Sequence, residues 1–242
     1  MSEGSFVLAG KSVVVIGGAS GIGFAVAQAA KEAGARVIIA SSRSEAVDAA
    51  VQRLPGAEGR GVDVLNEQSV AEFFSQLGSF DHLVFTAGDW DRVGPVALGE
   101  IDLSRARQSL DVRFWGGLAV AKHASRTITQ DGSITMTSGF IAHRPMKGSP
   151  MVSVVAGAVE HLIRALAVEL APVRVNAVSP GLALTEHVKQ TIPEDVVEAI
   201  TGPLPLRRAG RPDEVAAAFI YLMRNGYATG EVVSVDGGGK LV

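Results

Sequence analysis

The sequence predicts a doubly wound α/β fold of the Rossmann type: one parallel sheet of about seven strands with helices on both faces. Three observations predict it. Short β-branched runs alternate with longer helix-period segments along the whole chain, the pattern of strand–helix–strand units feeding a parallel sheet. The runs are apolar throughout rather than alternately apolar and polar, as strands covered on both faces must be. The chain has 242 residues, 47% of them hydrophobic and 19% charged. That suits one large core spread over a single domain, residues 1–242.

The elements run in order along the chain. Ser12–Ile16 is the first strand, bounded by Lys11 and Gly17. An alanine-rich helix runs from Phe24 to Ala33 and stops at Gly34. Arg36–Ala40 is the second strand, and Ser44 can cap a helix reaching about Leu54, broken by Pro55 and Gly56. Gly61 and Val62 lie on a third strand, Asn66 caps the next helix, and His82–Thr86 is the fourth strand. Asp102 or Ser104 opens a helix reaching to about Ile128, and a strand over Gly132–Thr137 comes next. Pro150–Leu170 is a long helix, Val173–Val178 a strand, and Pro212 takes the favoured first position of another helix. Val232–Val235 is the last strand. Residues 182–210 have mixed character and fall at the strand carboxyl ends, where such sheets bind ligands. They read either as a substrate lid or as an ordinary surface excursion.

Composition excludes several classes of function. With 22 basic and 25 acidic residues the formal charge is −3, and no basic stripe marks a nucleic-acid or membrane partner. The absence of cysteine excludes disulfides, thiolate metal sites and a cysteine nucleophile. No His/Asp/Glu spacing suggests a metal site. Met1–Gly10 lacks the pattern of a signal peptide, and no apolar run approaches the ~18–20 residues of a membrane span. A cytoplasmic protein is expected.

The chemistry begins at the turn after the first strand, where Gly17, Ser20, Gly21, Ile22 and Gly23 lead into the first helix. A phosphate needs close backbone approach and unpaired N–H donors. Glycines permit the first, and a helix N-terminus supplies the second. The spacing is Gly-x3-Gly-x-Gly, and its place between a strand and a helix points to a dinucleotide rather than to a merely tight turn. Which dinucleotide is decided after the second strand. An acidic residue there would bind the adenosine ribose 2′-hydroxyl, but Ser41, Ser42 and Arg43 stand in that place. A guanidinium can clamp a 2′-phosphate, so NADP is expected over NAD. The alternative is that Arg43 is a solvated charge at a helix start.

These motifs resemble the short-chain dehydrogenase/reductase family over nearly the whole chain. The turn matches the family's from Gly17 to Gly23, with Ile16 in place of Thr. Asp63-Val64 looks like the pair that contacts adenine. Ala87-Gly88 matches half of an Asn-Asn-Ala-Gly motif, with Phe85-Thr86 replacing both asparagines. Arg174-Val-Asn176, then Pro180, Gly181 and Thr185, look like the segment that orients the nicotinamide. Gly210–Val215, Thr229-Gly230 and Val235–Gly238 resemble the C-terminal signature. The resemblance implies reversible hydride transfer between a nicotinamide and a carbonyl or alcohol, a small-molecule substrate, and a homodimer or homotetramer. The family's interface would be formed by the helices over 102–128 and 150–170, where Trp115, Leu118, Val155 and Val159 are compatible with an interface or with a core.

The family's usual Ser, Tyr, Lys and Asn are all missing. Gly157–Val159, Leu162, Arg164–Ala167 and Glu169-Leu170 match, without a gap, the stretch just after the family's Tyr-x3-Lys. That register puts Val152 at the Tyr position and Ala156 at the Lys position. The Ser position falls on Gly139, with Ser138 just before it, and the Asn position on Asp111. Tyr221 and Tyr227, the only tyrosines, have no Lys four residues on. The candidate replacements are Ser138 to orient a carbonyl, His143 to donate a proton near neutral pH and Asp111 as a relay carboxylate. Arg144 and Lys147 could bind an anion, and His161 reads as structural. Three functions stay open: an NADP-binding oxidoreductase with an atypical proton donor; a non-catalytic cofactor-binding protein, as a sensor or inactive partner subunit; and a lyase or isomerase that kept the pocket.

Overall fold

The computed structural model describes residues 8–88 and 96–242. Its centre is a parallel sheet of seven strands in the order β3-β2-β1-β4-β5-β6-β7. The strands are β1 (Ser12–Ile16), β2 (Arg36–Ser41), β3 (Glu58–Gly61), β4 (Phe80–Phe85), β5 (Ile128–Thr137), β6 (Arg174–Pro180) and β7 (Val232–Val235). The helices are α1 (Gly21–Glu32), α2 (Ser44–Arg53), α3 (Glu67–Leu77), α4 (Leu103–Gln108), α5 (Gly117–Ala124), α6 (Pro150–Glu169), α7 (Glu186–Thr191), α8 (Glu194–Thr201) and α9 (Pro212–Arg224).

The period-2 geometry of each strand divides its apolar residues between two cores. Val13, Val15, Val37 and Ile39 face α1, α2 and α9, where Phe24, Ala27, Val47 and Phe219 close the first layer. Val14, Ile16, Ile38, Leu83 and Ile134 face α3, α5 and α6, packed on Phe73, Phe74, Val120 and Ile163. Every residue of β1 is buried, which explains its unbroken β-branched run. α6 is long and apolar enough to cross a membrane by length and composition, contrary to the expectation that no apolar run approaches a span. Val159, Ile163 and Leu166 of its inner stripe are spent against the sheet, and Val155 is buried too.

Polar groups fix the ends of these layers. At the amino end of the sheet, Asp81 accepts from Lys11 Nζ at 2.9 Å and from the Ser12 backbone N–H at 2.8 Å. These contacts hold its carboxyl below the usual carboxylate range against the cost of burial. Beside it His82 is buried and shares a 2.9 Å hydrogen bond with Ser133. Desolvation pushes its pKa down to about 4, so the ring is neutral at neutral pH. Asn66 caps α3 by accepting from the N–H groups of Gln68 and Ser69, as its sequence position predicts.

The structure corrects three elements. The helix expected over Asp102–Ile128 is interrupted: α4 is succeeded by a π-helical turn over Asp111–Gly116, then α5, which ends at Ala124. Gly116 lies close to Val64, 3.1 Å from where its own Cβ would be, and the widened turn carries Val112 and Arg113 inward. β5 starts early, at Ile128, with a register shift opposite Phe80–His82. Gly132 makes that irregularity possible, because a Cβ there would meet the Asp81 carbonyl oxygen at 2.3 Å. Ser44 is the first helical residue of α2 rather than its cap. Arg43 holds the cap position, with extended backbone and no side-chain capping bond.

Candidate active site

The glycine turn is shaped by what packs beneath it. Gly17 has φ +88°, and a Cβ there would meet the Ala87 backbone nitrogen at 2.5 Å. A Cβ on Gly23 would lie 2.2 Å from the Gly17 carbonyl oxygen and 2.4 Å from Thr86 Oγ1. Gly21, at φ +54°, has Thr185 Cγ2 3.3 Å from its Cβ position. The turn therefore sits flush on the end of β4, and the start of the 182–210 segment sits on the turn. Ser20 is the N-cap of α1, and its hydroxyl makes no capping bond. Together, Ser20, Gly21, Ile22 and Gly23 form the N-terminus of a twelve-residue helix, with the Thr185 side chain packed beside Gly21. The donor set and the missing Cβ atoms fit a diphosphate.

The other expected cofactor residues surround this turn at the carboxyl ends of the strands. Ser42 and Arg43 are exposed beyond β2. Asp63 is exposed past β3 and accepts from the Leu65 N–H at 3.0 Å. Val64, half-buried, packs towards Gly116. Ala87 and Gly88 lie just past β4. Pro180 ends β6, and Gly181 comes so close to Asp236 that a Cβ would lie 2.9 Å from its Cα. Thr185 caps α7 through the Val188 N–H at 3.2 Å. The expected lid is a closed loop carrying α7 and α8. A bridge between Ala183 and Gly210 joins its two ends, and Arg208 clamps Glu214 of α9 through two bonds of 2.9 and 2.7 Å. That clamp pushes the Glu214 carboxyl down to about 2. Arg174 and Asn176 do not face the site. Arg174 donates to the Leu222 and Met223 carbonyls at the end of α9, and Asn176 ties β6 to Ala228 and Glu231.

The two positions that the resemblance assigns to the family's Tyr and Lys are on α6. Val152 is half-buried and Ala156 fully buried. One turn further along the same stripe stands Glu160, which is 3% exposed. Its carboxylate accepts from Ser138 Oγ at 2.9 Å and pairs with His143 Nε2 at 2.8 Å, while Arg164 lies 3.9 Å away. The structure thus joins two of the three candidates, Ser138 and His143, through a residue that sequence reasoning missed. A signal was available: Glu160 is the one charge among the buried positions of α6. The Ser138 hydroxyl is buried and committed to Glu160, whereas His143 reaches the surface. Asp111 opens the π-helical turn, half-buried, and does not join the cluster. Arg144 and Lys147 are exposed, and so is His161, against the expectation of a structural role. Val155 and Val159 belong to the core, while Trp115 is 56% exposed. A second residue missed was Arg113, buried within the apolar run Val112–Trp115. It donates to the Thr137 carbonyl at 3.4 Å, and its guanidinium fills the space a Cβ on Gly88 would need.

A parallel sheet that reverses its strand order between β1 and β4, with a glycine turn and helix N-terminus at the reversal, defines a Rossmann-type dinucleotide-binding protein. The family profile described as Enoyl-(Acyl carrier protein) reductase matches residues 17–240. The chain is 37% identical to the "Short-chain dehydrogenase/reductase ATR9" of Stachybotrys chlorohalonatus, over 96% of this chain and 98% of that one. The MalC Reductase/Diels-Alderase structure from Malbranchea aurantiaca superposes with a TM-score of 0.89 at 33% identity, over 97% of both chains. A small-chain dehydrogenase solved in complex with NADPH superposes with a TM-score of 0.81 at 34% identity, covering 96% of this chain and 99% of that one. The chain belongs to the short-chain dehydrogenase/reductase family of oxidoreductases, whose members bind a nicotinamide dinucleotide.

Proposed function

We propose that the chain is an NADP(H)-dependent oxidoreductase that interconverts a carbonyl and an alcohol with His143, held by Glu160, as its proton donor in place of a tyrosine. The observation that carries the cofactor preference is Arg43. It stands exposed just past β2, at the N-terminus of α2, with Ser41 and Ser42 before it where an acidic residue would bind the ribose hydroxyl. A 2′-phosphate placed there meets a guanidinium and a helix N-terminus, and the NADPH-bound relative supports the reading. When bound, the nicotinamide supplies the hydride. The protein's part is to hold it with the glycine turn, to close the 182–210 segment over the substrate, and to deliver a proton to the developing alkoxide. Arg43→Ala is expected to weaken NADPH by roughly 10–100-fold, the worth of charge-assisted hydrogen bonds, and NADH by less than about twofold. Titration of the nicotinamide fluorescence measures both, and equal weakening would remove the 2′-phosphate role.

The same site supports a second reading. Both members of the usual proton-donating pair are apolar here, and a structural relative is named a Reductase/Diels-Alderase. A lyase or isomerase would transform its substrate with no net consumption of NADPH. A non-catalytic cofactor-binding protein would bind NADPH and transform nothing.

The outer stripe of α6 supports self-association. Val154 is 51% and Val168 83% exposed. Ala158, Leu162 and Ala165 lie between them at helical spacing, none of them fully buried. This row, with Trp115 on the neighbouring turn, suits a second copy of the chain. Wild type is expected to sediment as a dimer or larger, and Val168→Glu to shift it towards monomer. A monomeric wild type ends the proposal.

A further inference from the structure

Helix α9 is capped from outside. In a continuing helix the N–H groups of Gly226 and Tyr227 would bond to the carbonyls of Leu222 and Met223. Arg174 of β6 takes both carbonyls instead, at 2.6 and 3.0 Å. The two displaced N–H groups go different ways. That of Tyr227 turns back onto the side-chain oxygen of Asn225, Oδ1, at 3.0 Å. That of Gly226 makes no hydrogen bond to any described residue. The side-chain nitrogen of Asn225, Nδ2, donates to Tyr221 Oη at 2.8 Å. Gly226 and Tyr227 are exposed, and open space lies where a Cβ on Gly226 would be. Asn225-Gly226 is the one Asn-Gly pair in the chain.

We propose that this cap is a self-modification site, where the Asn225 amide becomes a carboxylate through a cyclic imide. The Gly226 backbone nitrogen attacks Cγ of Asn225 and gives up its proton. Both groups belong to one chain, so ring closure needs no encounter, and glycine lets the peptide turn towards the side chain. The charge that develops on Oδ1 meets the Tyr227 N–H already bonded to it, as in an oxyanion hole. The bond from Cγ to Nδ2 then breaks. Nδ2 leaves as ammonia with a proton from the Tyr221 hydroxyl beside it, and the proton released by Gly226 restores that hydroxyl. Water opens the imide at either carbonyl and leaves aspartate or isoaspartate at position 225. The balance is one water consumed and one ammonia released. The new carboxylate stands at the C-terminus of α9, the negative end of its dipole, so the modified chain is the less stable one. The other asparagines are placed differently. Asn66 caps α3, and Asn176 is fully buried with both side-chain polar atoms bonded.

The test is incubation of the full chain in mildly alkaline buffer, followed by peptide mass spectrometry and enzymatic methylation of isoaspartate. Neither cofactor nor substrate takes part. The peptide that holds position 225 is expected to gain the mass of an acid over an amide and to accept methyl groups, while those that hold Asn66 and Asn176 do neither. The same chain unfolded in denaturant gives the rate that the Asn-Gly pair supplies by itself, and the folded chain should react at least as fast. Gly226→Ala, at a position with no positive φ and open space for the Cβ, should slow the folded chain by about threefold or more. Tyr221→Phe should slow the folded chain by about tenfold or more, the low end of what a positioned acid supplies, and leave the unfolded rate unchanged. A folded chain that stays unmodified, or reacts more slowly than the unfolded one, overturns the proposal. So does a folded Tyr221→Phe chain that reacts at the wild-type rate, which would leave the residue pair alone as the cause.

Discussion

With His143 as the proposed proton donor, His143→Gln is expected to lower kcat on a carbonyl substrate by about 10²–10⁴-fold, the usual worth of a positioned general acid, while NADPH affinity stays within about twofold. The geometry motivates the choice of residue and of replacement. His143 Nε2 lies 2.8 Å from a Glu160 carboxylate that is itself buried and held by Ser138. That contact orients the ring as a buried carboxylate orients a catalytic imidazole in other enzymes. Glutamine keeps a donor for Glu160 but cannot hand on a proton, so the loss falls on kcat rather than on folding. Glu160→Ala serves a different purpose. It removes the carboxylate that Ser138 and His143 share and leaves the buried Ser138 hydroxyl without its acceptor, which costs about 1–3 kcal/mol, so this variant reports on stability. A wild-type kcat in His143→Gln would sink the role of His143, and Asp111, at the start of the π-helical turn, would be next to test.

The fold was largely legible because its signals are local. β1 and β2 are short β-branched runs with glycines or charges at their ends, and in a sheet covered on both faces that pattern has few other readings. The errors fell where a contact distant in sequence decides. The break in the helix after Gln108 depends on Gly116 approaching Val64, and the early start of β5 depends on Gly132 passing Asp81. Neither contact is written in the local sequence. The glycine turn was legible because it is local, whereas the proposed reacting cluster is assembled from distant segments. Ser138 and His143 come from the segment after β5 and Glu160 from the middle of α6. Family register points to Val152 and Ala156, but not to the buried Glu160 one turn further on. A charge inside an apolar helical stripe is the sequence trace of such a group, and both Glu160 and Arg113 carry it.

Gly23→Ala, a change of one methyl group, is expected to abolish dinucleotide binding, weakening NADPH by about 100-fold or more, and to lower stability by about 1–3 kcal/mol as overpacking does. Gly23 lies inside α1 without a positive φ, so alanine suits its backbone and would favour the helix. The cost comes from what faces it. The new Cβ would stand 2.2 Å from the Gly17 carbonyl oxygen and 2.4 Å from Thr86 Oγ1. The hydroxyl can rotate away, but the carbonyl cannot easily move. Gly17 is held at φ +88° with its own Cβ direction blocked by the Ala87 backbone, and its N–H is bonded to the Ala40 carbonyl at 2.8 Å. The remaining way to relieve the clash is to lift α1 away from β4, which moves the N–H groups that would meet the diphosphate. Gly226→Ala is the matched control, an exposed glycine with open space where the Cβ would go, and it should bind NADPH as wild type does. Thermal unfolding and NADPH titration of the two variants separate the effects. A Gly23→Ala protein that binds normally would show that the turn tolerates a side chain, and that close packing of the first helix on the fourth strand is not what shapes the phosphate site.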